Sequence, residues 1–223
     1  MGHGGDGADG GTGADGGTGA DGGDGAEARS RAGWWAPAAV LALTVAQLGV
    51  GTFASSLQQF EGKAFGARLV AYPVMMLVVP AAWWLVHRGR RVRVPWAAFA
   101  LVMAPFLIDV TGNTLDLYDS VAWWDDANHF VNWVLLCAGL GVLLLHGIRT
   151  PWTRVLLVTG LGAVLAIGWE LGEWYTFIRH GTELDTAYQD TLGDEALGTL
   201  GALVAGLVLR RPMAPRATER SAT

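Results

Sequence analysis

The sequence predicts an all-α fold: a polytopic transmembrane bundle of about six helices behind a disordered, Gly/Asp-rich N-terminal tail. Three observations predict it. Of the 223 residues, 52% are hydrophobic and only 16% charged, where a soluble domain carries about 25% charged residues. The apolar residues gather into runs of about 18 or more, long enough to cross a ~30 Å hydrocarbon core. Tryptophans stand near the ends of those runs (Trp34, Trp35, Trp83, Trp84, Trp96, Trp123, Trp124, Trp152), as in an interfacial aromatic belt.

Residues 1–32 form the tail. Their repeat of Gly, Ala and Asp offers no apolar surface to bury and predicts a solvated, disordered segment. A calcium-binding glycine-aspartate repeat would need an apolar residue in each unit to build a core, and none is present. No cleavable signal peptide is evident, since the first apolar run leads into Gln and Phe rather than a processing site.

Residues 33–210 form the membrane domain, with a second tail at 211–223. The predicted spans are 34–52, 69–86, 94–115, 127–146, 152–175 and 191–209. Backbone groups in lipid must be satisfied within the segment, so each run is a helix. Pro73, Pro80 and Pro105 fall inside spans and predict kinks. Between the first two spans, Phe53, Leu57, Phe60 and Ala64 share one helical face, which predicts an interfacial extension of the first helix. The stripe G198-T-L-G201-A202-L-V-A-G206 on the last span predicts close helix packing.

Basic residues set the orientation. Only Lys63, Arg68 and Arg179 lie on one side; the other 12 of the 15 lie in the tails and in the loops around residues 88–93 and 149–154. The richer side, carrying both termini, is expected in the cytoplasm. Thirteen of the 20 acidic residues then collect on the opposite face.

Those acidic residues fall into four patterns. The third span ends D109-V-T-G-N113, and the fourth begins W124-D-D-A-N-H129. The fifth ends W169-E170-L-G-E173, and the sixth is entered by Y188-Q-D190-T-L-G-D194. Spacings of three or four residues put each pattern on one helical face. Oxygen-rich clusters with one imidazole suit a hard or borderline divalent cation such as Mg, Mn, Ca or Zn. The candidate metal ligands are Asp109, Asp125, Asp126, His129, Glu170, Glu173, Asp190 and Asp194. Asn113, Tyr188, Arg68 and Arg179 are the candidate substrate contacts.

A structural reading stands beside each. Asp125, Asp126, Asp190 and Asp194 lie near helix amino ends, where the dipole welcomes a carboxylate and Thr191 with Asp194 resembles a capping box. Asp109, Glu170 and Glu173 lie near carboxyl ends, where the dipole disfavours negative charge. Ionisable groups sunk in a membrane are costly and mark functional sites. His129 by itself reads as an interfacial histidine. Cys137 lies alone in an apolar run and forms no intrachain disulfide. There is no phosphate-binding glycine loop, G-x-S-x-G, H-E-x-x-H or paired C-x-x-C, and nothing points to nucleic acid.

Taken in order, D109-x-x-G-N113, Y118-D119, W124-D-D-x-x-H129-F, W169-E170-x-x-E173 and Y188-x-D190-T-x-x-D194 resemble the YjdF-like family of bacterial inner-membrane proteins over about residues 35–209. The late Asp-x-x-x-Asp before a glycine-rich helix is more loosely similar to VanZ-like proteins, from which the extra acidic pair departs. The resemblance implies a multi-pass protein of the bacterial plasma membrane and implies no particular chemistry.

Three functions compete. A cation at the outer face would polarise or hydrolyse lipid or lipid-linked headgroups. A proton- or cation-coupled transporter would use the same carboxylates, but the inner halves of the spans are nearly pure Ala, Leu, Val and Gly. A non-catalytic envelope scaffold would bind an ion for stability. The bilayer is the expected partner, and the sequence fixes no oligomeric state.

Overall fold

The computed structural model describes residues 33–211 except 55, 56, 61, 62, 177 and 181–186. The tails at 1–32 and 212–223 lie outside the described residues, as do Glu61, Glu183 and Asp185. Seven α-helices and no strand occur among the described residues: α1 (Trp35–Phe53), α2 (Phe65–Val86), α3 (Trp96–Thr114), α4 (Leu117–Ser120), α5 (Trp124–Leu144), α6 (Pro151–Thr176) and α7 (Ala187–Val208). All but the one-turn α4 are long and apolar enough to cross a membrane. One end of the bundle carries the arginine-rich loops and the other the acidic patterns; they are called the arginine end and the acidic end below.

Helices α2, α5 and α7 begin about one turn before their expected starts at Leu69, Ala127 and Thr191, all at the acidic end. Hydropathy stops where the apolar run stops, but backbone hydrogen bonding continues through Trp124-Asp125-Asp126 and Ala187-Tyr188-Gln189-Asp190. This corrects the side-chain-capping part of the reading, while Asp125, Asp126 and Asp190 lie in first turns, where the dipole welcomes them. The residue ahead of α5 is Trp123, which makes no side-chain cap, and Asp125 and Asp126 lie within the first turn. Thr191 and Asp194 lie inside α7, beyond its first turn, so they form no capping box.

The expected extension of the first helix is also replaced. α1 stops at Phe53, and a 3-10 turn covers Gln58–Phe60. Phe60 is buried with its ring edge-on to Phe65, centroids 5.1 Å apart, so it belongs to the core. Ala64 takes a left-handed conformation, φ 51°, to redirect the chain into α2.

The helices form a connected series. α7 packs closely on both α6 and α5, α5 on α3, and α3 on α1, with α2 at the edge against α1 and α3. Glycine makes the tightest contacts possible. A Cβ on Gly162 would collide with Ala202 and Cys137, and one on Gly201 would collide with the Phe130 carbonyl. The small-residue stripe therefore lets the α5, α6 and α7 backbones approach, with Trp133 filling the space over Gly198. Faces turned outward carry Val70, Val74, Val78, Leu156, Val164 and Leu171, exposed as befits lipid contact.

Arg154 has a role its position in the sequence conceals. It is 3% exposed and spends all its bonds on main-chain carbonyls. Nε donates to Ile148 O at 2.6 Å, Nη2 to Leu145 O at 3.0 Å, and Nη1 to Leu209 O at 3.0 Å and Arg211 O at 3.2 Å. One guanidinium thus satisfies carbonyls at the C-terminal ends of both α5 and α7.

Candidate functional site

Two polar clusters lie at the acidic end, and α5 contributes to both. With a rise of about 1.5 Å per residue, Asp109, His129, Glu170 and Asp194 sit roughly 7–11 Å inside the ends of α3, α5, α6 and α7.

The first cluster surrounds Asp109. Its Oδ2 accepts from Arg68 Nη1 at 3.0 Å and Tyr72 OH at 2.5 Å. Its Oδ1 accepts from Tyr118 OH at 2.8 Å and Asn113 Nδ2 at 3.3 Å. Asn128 Nδ2 donates to Tyr118 OH, and Asn132 Nδ2 to Asn128 Oδ1 at 2.8 Å. Side chains from α2, α3, α4 and α5 are thereby joined. A carboxylate has about four acceptor positions, and all four of Asp109's are taken. The expectation groups Asp109 with the metal ligands; its place here is the centre of a protein-satisfied network. Arg68 and Asn113 belong to that network too. Gly112 makes room for it, since a Cβ there would strike Trp124 and Tyr118.

The second cluster surrounds His129. Its side chain is 10% exposed, beside Glu170 and Asp194 at 6% and 5%. Nδ1 stands 3.6 Å from Asp194 Oδ1 and 3.9 Å from Glu170 Oε1, and Nε2 stands 3.6 Å from Asp125 Oδ1. These separations exceed hydrogen-bond length. Two overlapping ligand sets result, Asp125–His129–Asp194 and His129–Glu170–Glu173, each with its ligand atoms within 4.8 Å of one another. Thr191 hydrogen-bonds to Glu170.

Four candidates lie outside both clusters. Asp126 and Asp190 are exposed, though the charge of Asp190 reaches Asp125 and His129. Tyr188 is 79% exposed. Arg179 stacks on the Tyr175 ring at 3.7 Å. Sequence reading missed Tyr72, Asn128 and Asn132 and gave Thr191 only as a cap. Signals existed for the first three: Arg68 and Tyr72, and Asn128 and Asn132, are pairs four residues apart within apolar spans.

Over the first cluster's loop, Lys63 Nζ reaches Asp116 Oδ1 at 2.9 Å and Asp119 Oδ2 at 2.5 Å. The bond from Lys63 holds the Asp119 carboxyl below its ordinary 3.8. Burial pulls the Lys63 ammonium down, but its bonds to Asp119 and Asp116 outweigh that and hold it above 10.5.

Six apolar spans with a sunken polar core at one end define a multi-pass integral membrane protein. The chain belongs to the family described as "Predicted membrane protein (DUF2238)", whose model matches residues 32–214. The YjdF-like resemblance read from the motifs agrees with that membership. No curated protein and no solved structure matches the chain.

Proposed function

We propose that His129, Asp194 and Glu170 bind a divalent cation between α5, α6 and α7, with Glu173 completing the set. The observation that carries this is the convergence on one imidazole nitrogen of carboxylates from two other helices, at 3.6 and 3.9 Å. Ligand atoms at such separations suit an ion about 2.0–2.4 Å from each. The charge balance supports it, because the imidazole, with at most one positive charge, and Arg68, which reaches Glu173 but is bonded to Asp109, face Asp125, Glu170, Glu173 and Asp194, and uncompensated carboxylates at this depth are costly. Asp125 faces the other ring nitrogen. With the proton on Nε2, it orients the ring so that Nδ1 ligates, as carboxylates behind metal-bound histidines do.

The protein in this reading sits in the bacterial plasma membrane with both termini cytoplasmic, which makes the acidic end extracytoplasmic. A cation there polarises a phosphoryl or acyl oxygen or activates water, and lipid or lipid-linked headgroups are the substrates within reach. A transport reading has one observation of its own. The Tyr118–Asn128–Asn132 bonds lead inward along α5, and Asn132 Oδ1 is buried without a hydrogen-bond partner among the described residues.

Metal content and melting of detergent-purified protein test the proposal, with Mn²⁺, Zn²⁺, Mg²⁺ and Ca²⁺ each offered alone. Wild type retains about one ion per chain. Glu170→Gln and Asp194→Asn lose it, and Asp125→Asn keeps it with affinity lowered about 10–100-fold. Wild type without ion or metal-dependent melting, at the same melting temperature as Glu170→Gln, sinks the idea. Ion flux into proteoliposomes that Glu170→Gln abolishes selects transport over headgroup chemistry.

A further inference from the structure

The arginine end holds a feature that the acidic site does not use. A cleft of about 310 Å³ opens between α1, α2 and α3, walled by Trp34, Pro37, Leu41, Leu77, Pro80 and Phe99 among others. Ala38, Trp96 and Met103 complete its lining. Pro37 and Ala38 on α1 and Pro80 on α2 are its short lining residues. α2 is also the least buried of the six spans, 11% against 22–39% for the others, and among the described residues no other helix lines the cleft. A methylene group is about as large as a water molecule, which takes ~30 Å³ in the liquid. The cleft therefore has room for roughly ten methylenes of one acyl chain.

The ends of the cleft carry complementary chemistry. α2 and α3 are joined by residues 87–95, which carry Arg88, Arg90, Arg91 and Arg93, all exposed. Trp34 precedes α1, and Trp96 opens α3, so two indoles stand at the same level. Arg88 lies over the Trp84 ring at 5.6 Å. Arg88, Arg90 and Arg91, three exposed cations in four residues beyond an apolar cleft, match an anionic headgroup attached to an acyl chain. A neutral lipid would satisfy the walls and offer Arg88, Arg90 and Arg91 no counter-charge.

We propose that this cleft is a binding site for an anionic glycerophospholipid, with one acyl chain between α1, α2 and α3 and the phosphate at the Arg88–Arg93 loop. The site is independent of the acidic cluster and survives the failure of the cation proposal.

The test offers phosphatidylglycerol and phosphatidylcholine of equal chain length to delipidated full-length protein. Native mass spectrometry counts the lipid retained, and melting is followed in parallel. Wild type retains one phosphatidylglycerol at least tenfold more readily than phosphatidylcholine and melts higher with it. Ala38→Phe fills the cleft and loses the retained lipid; Leu77→Trp does the same from the opposite wall if Ala38→Phe does not fold. Arg90→Gln with Arg91→Gln lowers the phosphatidylglycerol preference several-fold and leaves phosphatidylcholine retention unchanged. Equal retention of the two lipids by wild type overturns the proposal. Retention of phosphatidylglycerol by a folded cleft-filling variant at the wild-type level does so too, and would assign the lipid to the general surface.

Discussion

Replacing Arg154 by Ala removes four hydrogen bonds from a guanidinium to carbonyls at the ends of α5 and α7. A bond involving a charged group is worth about 1.5–3 kcal/mol, but the four do not add. Nη1 divides itself between Leu209 and Arg211, and carbonyls freed near a membrane surface regain water. Counting one full bond for each helix end gives a loss of about 3–6 kcal/mol, close to the ~3–5 kcal/mol for breaking a buried charged contact. For a domain of this size that lowers melting by on the order of 10 °C. Arg154→Lys keeps the charge but offers a compact ammonium that cannot span all four acceptors, so it falls between. Arg149→Ala is the control, because Arg149 is exposed and its loss should cost less than about 0.5 kcal/mol. Unfolding is followed by tryptophan fluorescence in detergent, the chain having 11 tryptophans. If Arg154→Ala melts with Arg149→Ala, the guanidinium is not a structural clamp and both arginines serve orientation alone.

Three other outcomes follow from the same geometry. Asp109→Asn removes the charge that accepts from Arg68, Tyr72 and Tyr118 and should cost about 1.5–3 kcal/mol, while metal retention stays within a few-fold of wild type; loss of the ion with unchanged melting would move Asp109 into the coordination set. Gly201→Val forces α5 and α7 apart at the Phe130 carbonyl and should reduce stability by about 1–3 kcal/mol or more, read as a drop in melting temperature; wild-type melting would contradict the close approach. For the Lys63 strap the signs oppose. Asp119 contributes stability above 3.8 that is lost as pH falls through its depressed value, and Lys63 contributes below 10.5 and is lost as pH rises through its raised value. The melting difference between wild type and Lys63→Met should therefore be flat between about pH 5 and 9 and shrink below about pH 4; a slope across neutral pH would assign the strap's stability to another group.

The six spans were legible because a bilayer imposes one simple demand, an apolar run of sufficient length with internally satisfied backbone. Their polar first turns were not, because hydropathy reports the edge of the apolar core and not the last hydrogen bond. The small-residue stripe on α7 was legible as a packing face, since only Gly and Ala permit such approach, but its partners Trp133, Cys137 and Phe130 were not. Spacing within one helix showed that Asp125 and His129, or Glu170 and Glu173, share a face.

The sequence by itself determined that carboxylates and one histidine concentrate at one end of a helical membrane domain. Which of them meet was decided only by the tertiary structure. Asp109 and Glu170 look alike in the chain, each a carboxylate near the carboxyl end of an apolar helix. Asp109 lands among four donors from α2, α3 and α4 and is satisfied by protein, while Glu170 lands beside His129 and Asp194 from α5 and α7. Helical periodicity fixes the face a residue presents, but the helix that face meets depends on packing between segments far apart in the chain, and so does the division between a structural carboxylate and a candidate ligand.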